Sequence, residues 1–222
     1  MLRHVLGMHS RLYAVPYESR IFFHSGFKIR LAAWAWSLTA VSLGKTRWIE
    51  KTPSHIHRMG QILQSYPDAR ILLLIRDGRN VAISLRKRWG DFERSARRWV
   101  EDNRAGEPYW NHPSVMVLKY EDLVSNFEHE LKGVCAFIGE PFEDAFLRFS
   151  QTAENQGGSR QADEQALDGA QPKELRDRQI SRGLYGAEER WRQQMTDEER
   201  SRFKAVAGDM LVEYGYASGM DW

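Results

Sequence analysis

Apolar positions along this chain change period several times, and each change marks an element. MLRHVLGMH, at the start, has apolar residues at helical spacing and predicts a short amphipathic helix. SRLYAVPYES, broken by Pro16, predicts a loop. A helical region follows to about Gly44 and contains the 14-residue run LAAWAWSLTAVSLG, Leu31 to Gly44. That run is too short to span a bilayer and predicts a buried helix, with a membrane-surface role for its two tryptophans as the lesser reading. TRWIEK predicts a short strand ending at Glu50-Lys51, because Pro53 cannot continue it as a central strand. Ser54 is the expected N-cap of a helix over HIHRMGQILQSY.

The next stretch, RILLLI, is too apolar to alternate, so it predicts a strand covered on both faces, as in a parallel sheet. It ends abruptly in Arg76-Asp77-Gly78-Arg79, where a helix begins with Val81, Leu85 and Trp89 on one face. A further helix is expected over roughly Phe92 to Gly106. SVMVLK predicts another strand, and YEDLVSNFEHELKGVCAFIG is helical from about Ser125. Strands alternating with helices give an α/β layered fold with a parallel central sheet flanked by helices. Gln151 to Gln171 is polar and glycine-containing and predicts a flexible lid or loop. Thr196-Asp197-Glu198-Glu199 has the pattern of a capping box opening the last helix.

Composition changes this picture little. The 222 residues suit one domain, and 32 basic against 30 acidic residues give a net charge of +2, so no bulk field points to nucleic acid. The charge is uneven, however. Between Arg76 and Arg98 eight basic residues face three acidic ones, a local excess of five that favours an anionic ligand. Cys135 is the single cysteine. No intrachain disulfide or cysteine-based metal site is available, which suits a reducing compartment and a cytoplasmic location. The N-terminal segment is charged throughout and lacks the apolar core of a secretory signal, and no transmembrane segment is expected.

The candidate chemistry starts at Arg76. In an open parallel sheet, ligands bind beyond the carboxyl ends of the strands. Ser84 and Arg88 share a face of the following helix, so Arg76, Ser84 and Arg88 form a candidate anion site beside free backbone N–H groups. The plainer alternative is that Asp77 caps the helix, Gly78 relaxes the turn and the arginines are solvated. His55 and His57 are two apart with no nearby third ligand, so no metal is expected.

The combination EKTP (Glu50 to Pro53), a helix, YPDARILLLIRDGRNVAISL, VLKYEDL, FIGEPFE and GLYGAEERW resembles the sulfotransferases that use 3′-phosphoadenosine 5′-phosphosulfate. The closest likeness is to the bacterial branch similar to the protein-tyrosine and heparan sulfotransferases. The resemblance covers nearly the whole chain and implies a P-loop-NTPase-like fold in a single domain. It implies that Arg76 and Ser84 hold the 3′-phosphate with support from Arg88, that Tyr120 lies near the nucleotide, and that Arg182 and Gly183 close over it. It further implies that Lys51 neutralises the leaving group and that Glu18 is the base acting on a hydroxyl or amine acceptor. The plainer readings are a core tyrosine for Tyr120, an exposed lysine paired to Glu50 for Lys51, and an ordinary acidic residue in a first helical turn for Glu18. Histidine directly follows the Lys-Thr pair in the cytosolic small-molecule branch, but Pro53 stands there in this chain, so that mechanism does not carry over.

One element of the family pattern is missing. Its members normally begin with a strand and a phosphate loop of the type Pro-Arg-Ser-Gly-Thr-Thr, whereas this sequence opens where the following helix should stand. A miscalled start, a fragment and a truncated gene each account for this, the first being favoured. The expectation is that the 222 residues as written are poorly active or inactive. Two rivals remain: another P-loop phosphotransferase, and a non-catalytic nucleotide-binding remnant. Aromatics such as Phe22, Phe23, Phe27, Trp34 and Trp36 either line an acceptor pocket or fill a core, the core being expected.

Overall fold

The computed structural model describes residues 1–149 and 190–222. Gln151 to Gln171, Arg182 and Gly183 therefore lie outside the described residues. Along the chain run α1 (Leu2–Gly7), β1 (Leu12–Ala14), α2 (Gly26–Ser42), β2 (Arg47–Ile49), α3 (Met59–Ser65), β3 (Ile71–Ile75), α4 (Gly78–Trp89), α5 (Phe92–Gly106), β4 (Val115–Lys119), α6 (Tyr120–Ser125), α7 (Phe127–Ile138), α8 (Arg190–Gln194) and α9 (Asp197–Glu213). Short 3₁₀ turns lie at Ile21–Phe23, Pro53–Arg58, Glu107–Tyr109 and Asp144–Phe146. The described residues fall into two compact units, 1–55 with 124–149, and 56–123 with 190–222.

The α/β layering and the parallel strands agree with the sequence reading. The strands pair as two ladders of two: β1 with β2, and β3 with β4, both parallel. Parallel neighbours need a crossover, and α2 supplies it in the first unit, α4 and α5 in the second. In the first unit Leu12 and Val15 are fully buried, and His9 ties the segment after α7 to the segment before β1: His9 Nε2 lies 2.9 Å from the Pro141 carbonyl. In the second unit one core joins Ile75, Ala82, Ile83, Trp99, Trp191 and Phe203 with their neighbours. The capping box at the start of α9 is present, with the Thr196 hydroxyl accepting from the Glu199 N–H and the Glu199 carboxylate accepting from the Thr196 N–H. Among the described residues no helix is long and apolar enough to cross a membrane.

Several expectations need correction. The predicted loop SRLYAVPYES contains β1, which forms because Leu12 and Val15 are drawn into the core before Pro16 ends the pairing. Ser54 does not cap an α-helix; the segment starts as the 3₁₀ turn Pro53–Arg58, and α3 begins only at Met59. Helix after β4 begins at Tyr120, ahead of Ser125. RILLLI is not covered on both faces: Leu74 is exposed and Ile71 to Leu73 are half-buried, because among the described residues β3 has β4 as its one ladder partner. On α4 the buried face is Ala82 and Ile83 with Arg79, while Val81 and Leu85 are half-buried and Trp89 is exposed. α2 is not a buried helix either. Ile29, Trp36 and Ala40 are buried, but Phe27, Leu31, Trp34, Leu38 and Val41 are exposed, since a helix apolar all round cannot hide every face against one packed side, and in the 3₁₀ turn before it Phe22 is buried and Phe23 exposed.

Candidate active site

The ends of the two strand pairs carry the candidate residues. In the second unit the β3–β4 register sets Ile75 opposite Lys119, so the next residues, Arg76 and Tyr120, leave the ladder side by side. The Arg76 guanidinium carbon lies 4.3 Å from the centre of the Tyr120 ring. Its Nε is buried and has no hydrogen-bond partner among the described residues. A buried donor of this kind is costly when unpaired. Tyr120 is buried. Burial pushes its hydroxyl pKa up, while the positive charge of Arg76 pulls it the other way, so the phenol stays protonated at neutral pH.

The turn that aims Arg76 is built from its neighbours. Asp77 caps α4 by accepting from the Arg79 N–H at 2.9 Å, and its own N–H donates to Glu121 at 3.1 Å. Gly78 is required by a close approach: a Cβ there would stand 2.5 Å from the Trp99 indole. The same indole N–H donates to the Arg76 carbonyl at 3.0 Å, fixing the residue from beneath. Arg79 is not solvated. It is buried, forks onto Asp77, donates to the Tyr216 carbonyl at 2.7 Å, and stacks 3.9 Å from the Trp191 ring and 4.8 Å from Trp222. Of the two arginines at the strand mouth, Arg79 is buried and fully engaged, whereas Arg76 is half-buried with an unpartnered Nε.

The local cationic excess divides in the same way. Arg79 pairs with Asp77, Arg86 with Glu199, Arg97 with Glu93 and Arg98 with Asp102. Arg76 and Arg88 have no ion-pair partner among the described residues. Ser84 and Arg88 are both exposed on α4, and the Ser84 hydroxyl donates back to the Asn80 carbonyl at 2.9 Å.

In the first unit, Glu18 and Lys51 meet, with Lys51 Nζ 2.7 Å from Glu18 Oε1 and both side chains partly exposed. The sequence reading paired Lys51 with Glu50 as its plain alternative; Glu50 is instead turned inward. Its carboxylate accepts from the Ser19 N–H at 3.1 Å, the Ser19 hydroxyl at 2.8 Å and the Thr52 hydroxyl at 2.6 Å, and its other oxygen lies 3.1 Å from His55 Nδ1. Burial would push the Glu50 carboxyl up, but the hydrogen bonds from His55, Thr52 and Ser19 outweigh it and hold it below the usual carboxylate range. Thr52 also takes the Arg20 N–H at 3.3 Å. Arg20 sits at φ 50, in the left-handed region that non-glycine residues enter at a cost of roughly 1–3 kcal/mol. Glu50 thus clamps the residue after Glu18 and the residue after Lys51 onto one carboxylate, and strain at Arg20 is held by that clamp. His55 is buried between Phe22 and Phe23, its ring 5.0 Å from the first and 6.0 Å from the second.

Glu50 and Trp99 are the residues that the sequence reading missed. A signal existed for Glu50, a carboxylate next to the key lysine just before a proline, but its partners lie across the fold. Among the described residues no group of three or more His, Cys, Asp or Glu side chains is placed to hold a metal ion.

Comparison with known proteins bears on this geometry. The family model described as "Sulfotransferase family" matches residues 11–144, more than half of the chain. The solved "Sulfotransferase Domain from the Curacin Biosynthetic Pathway" is 15% identical, with a TM-score of 0.52, over 94% of this chain and 92% of that one. The mouse sulfotransferase SULT7A1, solved in complex with PAP, is 13% identical, with a TM-score of 0.50, over 94% of this chain and 89% of that one. At such identities the likeness is one of fold, the P-loop-like α/β fold of sulfotransferases. No curated protein matches.

Proposed function

The chain belongs to the sulfotransferase family, and from that premise we propose that it moves a sulfuryl group from 3′-phosphoadenosine 5′-phosphosulfate to a hydroxyl or amine acceptor. The observation that carries the reading is the 2.7 Å contact between Lys51 and Glu18. Those are the residues assigned by the resemblance as leaving-group cation and base, and the contact sets the two side by side. The nucleotide supplies the sulfuryl group. In its transfer the bond from sulfur to the bridging phosphate oxygen breaks, a bond from sulfur to the acceptor forms, and negative charge builds on the departing oxygen. Lys51 sets positive charge there, favouring the transition state over the ground state. Glu18 takes the acceptor's proton.

Arg76 is assigned to the 3′-phosphate, and its buried, unpartnered Nε supports the choice of an anion. Tyr120 backs the guanidinium with its ring face. Ser84 and Arg88 are assigned to the same phosphate from α4, and Arg182 and Gly183 to closure over the nucleotide. The domain is read as one sulfotransferase-like domain acting in the cytoplasm without a metal ion.

Calorimetry with 3′-phosphoadenosine 5′-phosphate, ATP and AMP tests the assignment. The bis-phosphorylated nucleotide should bind best, and Arg76→Ala should weaken it by roughly 10- to 100-fold, the worth of a charge-assisted hydrogen bond. ATP preferred over it would return the chain to the phosphotransferase reading. Equal binding of AMP, or an Arg76→Ala variant with unchanged affinity, would sink the site.

A further inference from the structure

α2 carries an apolar stripe that is exposed among the described residues. Phe27, Leu31, Trp34, Leu38 and Val41 recur at spacings of four, three, four and three, the seam of one helix packing on another. Each is at least half exposed, from Leu38 at 50% to Phe27 at 76%. The opposite side of the same helix holds the buried Ile29, Trp36 and Ala40. A helix apolar on both sides belongs between two packing partners, and the core of its own unit supplies one of them. Large apolar side chains expose on the order of 150–250 Å² when free, so the stripe leaves roughly 600 Å² of apolar surface per chain. That is at the upper end of what a soluble monomer shows in one patch, and it approaches the area each partner contributes to a stable interface.

The patch has the scale of a dimer contact, and charge then selects the direction in which a second copy lies. From Ile21 to Ile49 the sequence has no acidic residue. Lys28 and Arg30 flank the stripe near the N-terminus of α2 and are exposed, whereas the flanks of the other half are Ala35, Ser37 and Ser42. Two parallel copies would set four cations at one end with nothing to offset them. Two antiparallel copies set Lys28 and Arg30 beside the neutral half of the partner helix and its carbonyl end, where the helix dipole favours positive charge. A closed two-fold contact of this kind uses the same patch twice and is self-limiting.

We propose that the chain forms a symmetric dimer through antiparallel packing of α2 on α2 of a second copy. The assignment is independent of the sulfotransferase reading. Sedimentation of the full chain at micromolar concentration should give twice the monomer mass. Leu31→Glu combined with Leu38→Glu should raise the dissociation constant roughly a hundredfold or more, since central apolar contacts dominate such interfaces. Both positions are exposed within the monomer, so circular dichroism and melting should change little. Orientation is read by cross-linking with a short bismaleimide, Cys135 being buried. Ala35→Cys should link to itself, and Lys28→Cys should link to Ser42→Cys in a mixed sample. A monomeric wild-type protein overturns the proposal, and monomer that pellets with anionic phosphatidylglycerol vesicles assigns the stripe to a lipid surface instead. Self-linking of Lys28→Cys also overturns it, by showing parallel helices. So does a dimer that survives the double substitution.

Discussion

Replacing Glu50 by glutamine is the sharpest perturbation of the clamp that holds Glu18 beside Lys51. The carboxylate is almost fully buried and receives the Ser19 N–H, the Ser19 hydroxyl and the Thr52 hydroxyl on one oxygen, with His55 at the other. Glutamine keeps the shape and one acceptor, but presents an NH₂ where the second oxygen accepted. Bonds to a charged acceptor are worth about 1.5–3 kcal/mol and neutral ones about 0.5–1.5, so each exchange costs on the order of 1 kcal/mol. The four contacts share one group and do not add in full. The expected loss is therefore about 2–4 kcal/mol at neutral pH, read from urea unfolding of wild type and variant side by side.

The pH dependence carries the more specific signature. Glu50 is held below the usual carboxylate range in the folded chain. A depressed carboxyl contributes stability that is fully present above its unfolded value and is lost as pH falls through the folded one. Acidification from neutral pH into the carboxylate range should therefore narrow the gap between wild type and Glu50→Gln. A cost under about 0.5 kcal/mol, within the range of ordinary surface substitutions, would refute the clamp. A gap that stays constant on acidification would refute the ionised state on which the clamp depends.

Gly78→Ala should destabilise the second unit by roughly 1–3 kcal/mol, the cost of forcing a methyl into a packed core, because the added Cβ meets the rigid Trp99 indole at 2.5 Å. The same variant should weaken binding of 3′-phosphoadenosine 5′-phosphate, since Trp99 also holds the Arg76 carbonyl; denaturation and calorimetry together separate the two effects. Cys135 is buried among α7 neighbours, and burial together with the Glu143 and Glu140 charges pushes its thiol up to about 11. A disulfide reagent at mildly alkaline pH should label it slowly in the native chain and quickly in denaturant; fast native labelling would contradict that burial.

The sequence exposed the elements that rest on local patterns. RILLLI declares β3 by an unbroken apolar run, Phe92 to Gly106 was legible as α5, and Thr196 with Glu199 declares the start of α9. β1 stayed hidden because a three-residue strand beside Pro16 has no period of its own; its identity comes from the ladder with β2, more than thirty residues on. α2 was legible as a helix and illegible in its burial. Apolarity on every face says that a helix wants partners on two sides, and cannot say which side its own unit fills.

The same limit divides the candidate site. Arg76 and Arg79 are one residue type, three apart, at the mouth of one strand, and nothing local separates their fates. Trp191 and Trp222 do so, by arriving from the C-terminal end to enclose Arg79 against Asp77. Arg76, set by the β3–β4 register against Tyr120, is left with an unmatched donor. Lys51 and Glu18 could be named from the order of motifs, but their contact could not, because it depends on a buried neighbour. Glu50 stands beside Lys51 in sequence and reaches Ser19, beside Glu18, 31 residues away. A charge that holds two loops together is written in the chain only as another acidic residue; its work becomes visible when both loops are seen to end on the same carboxylate.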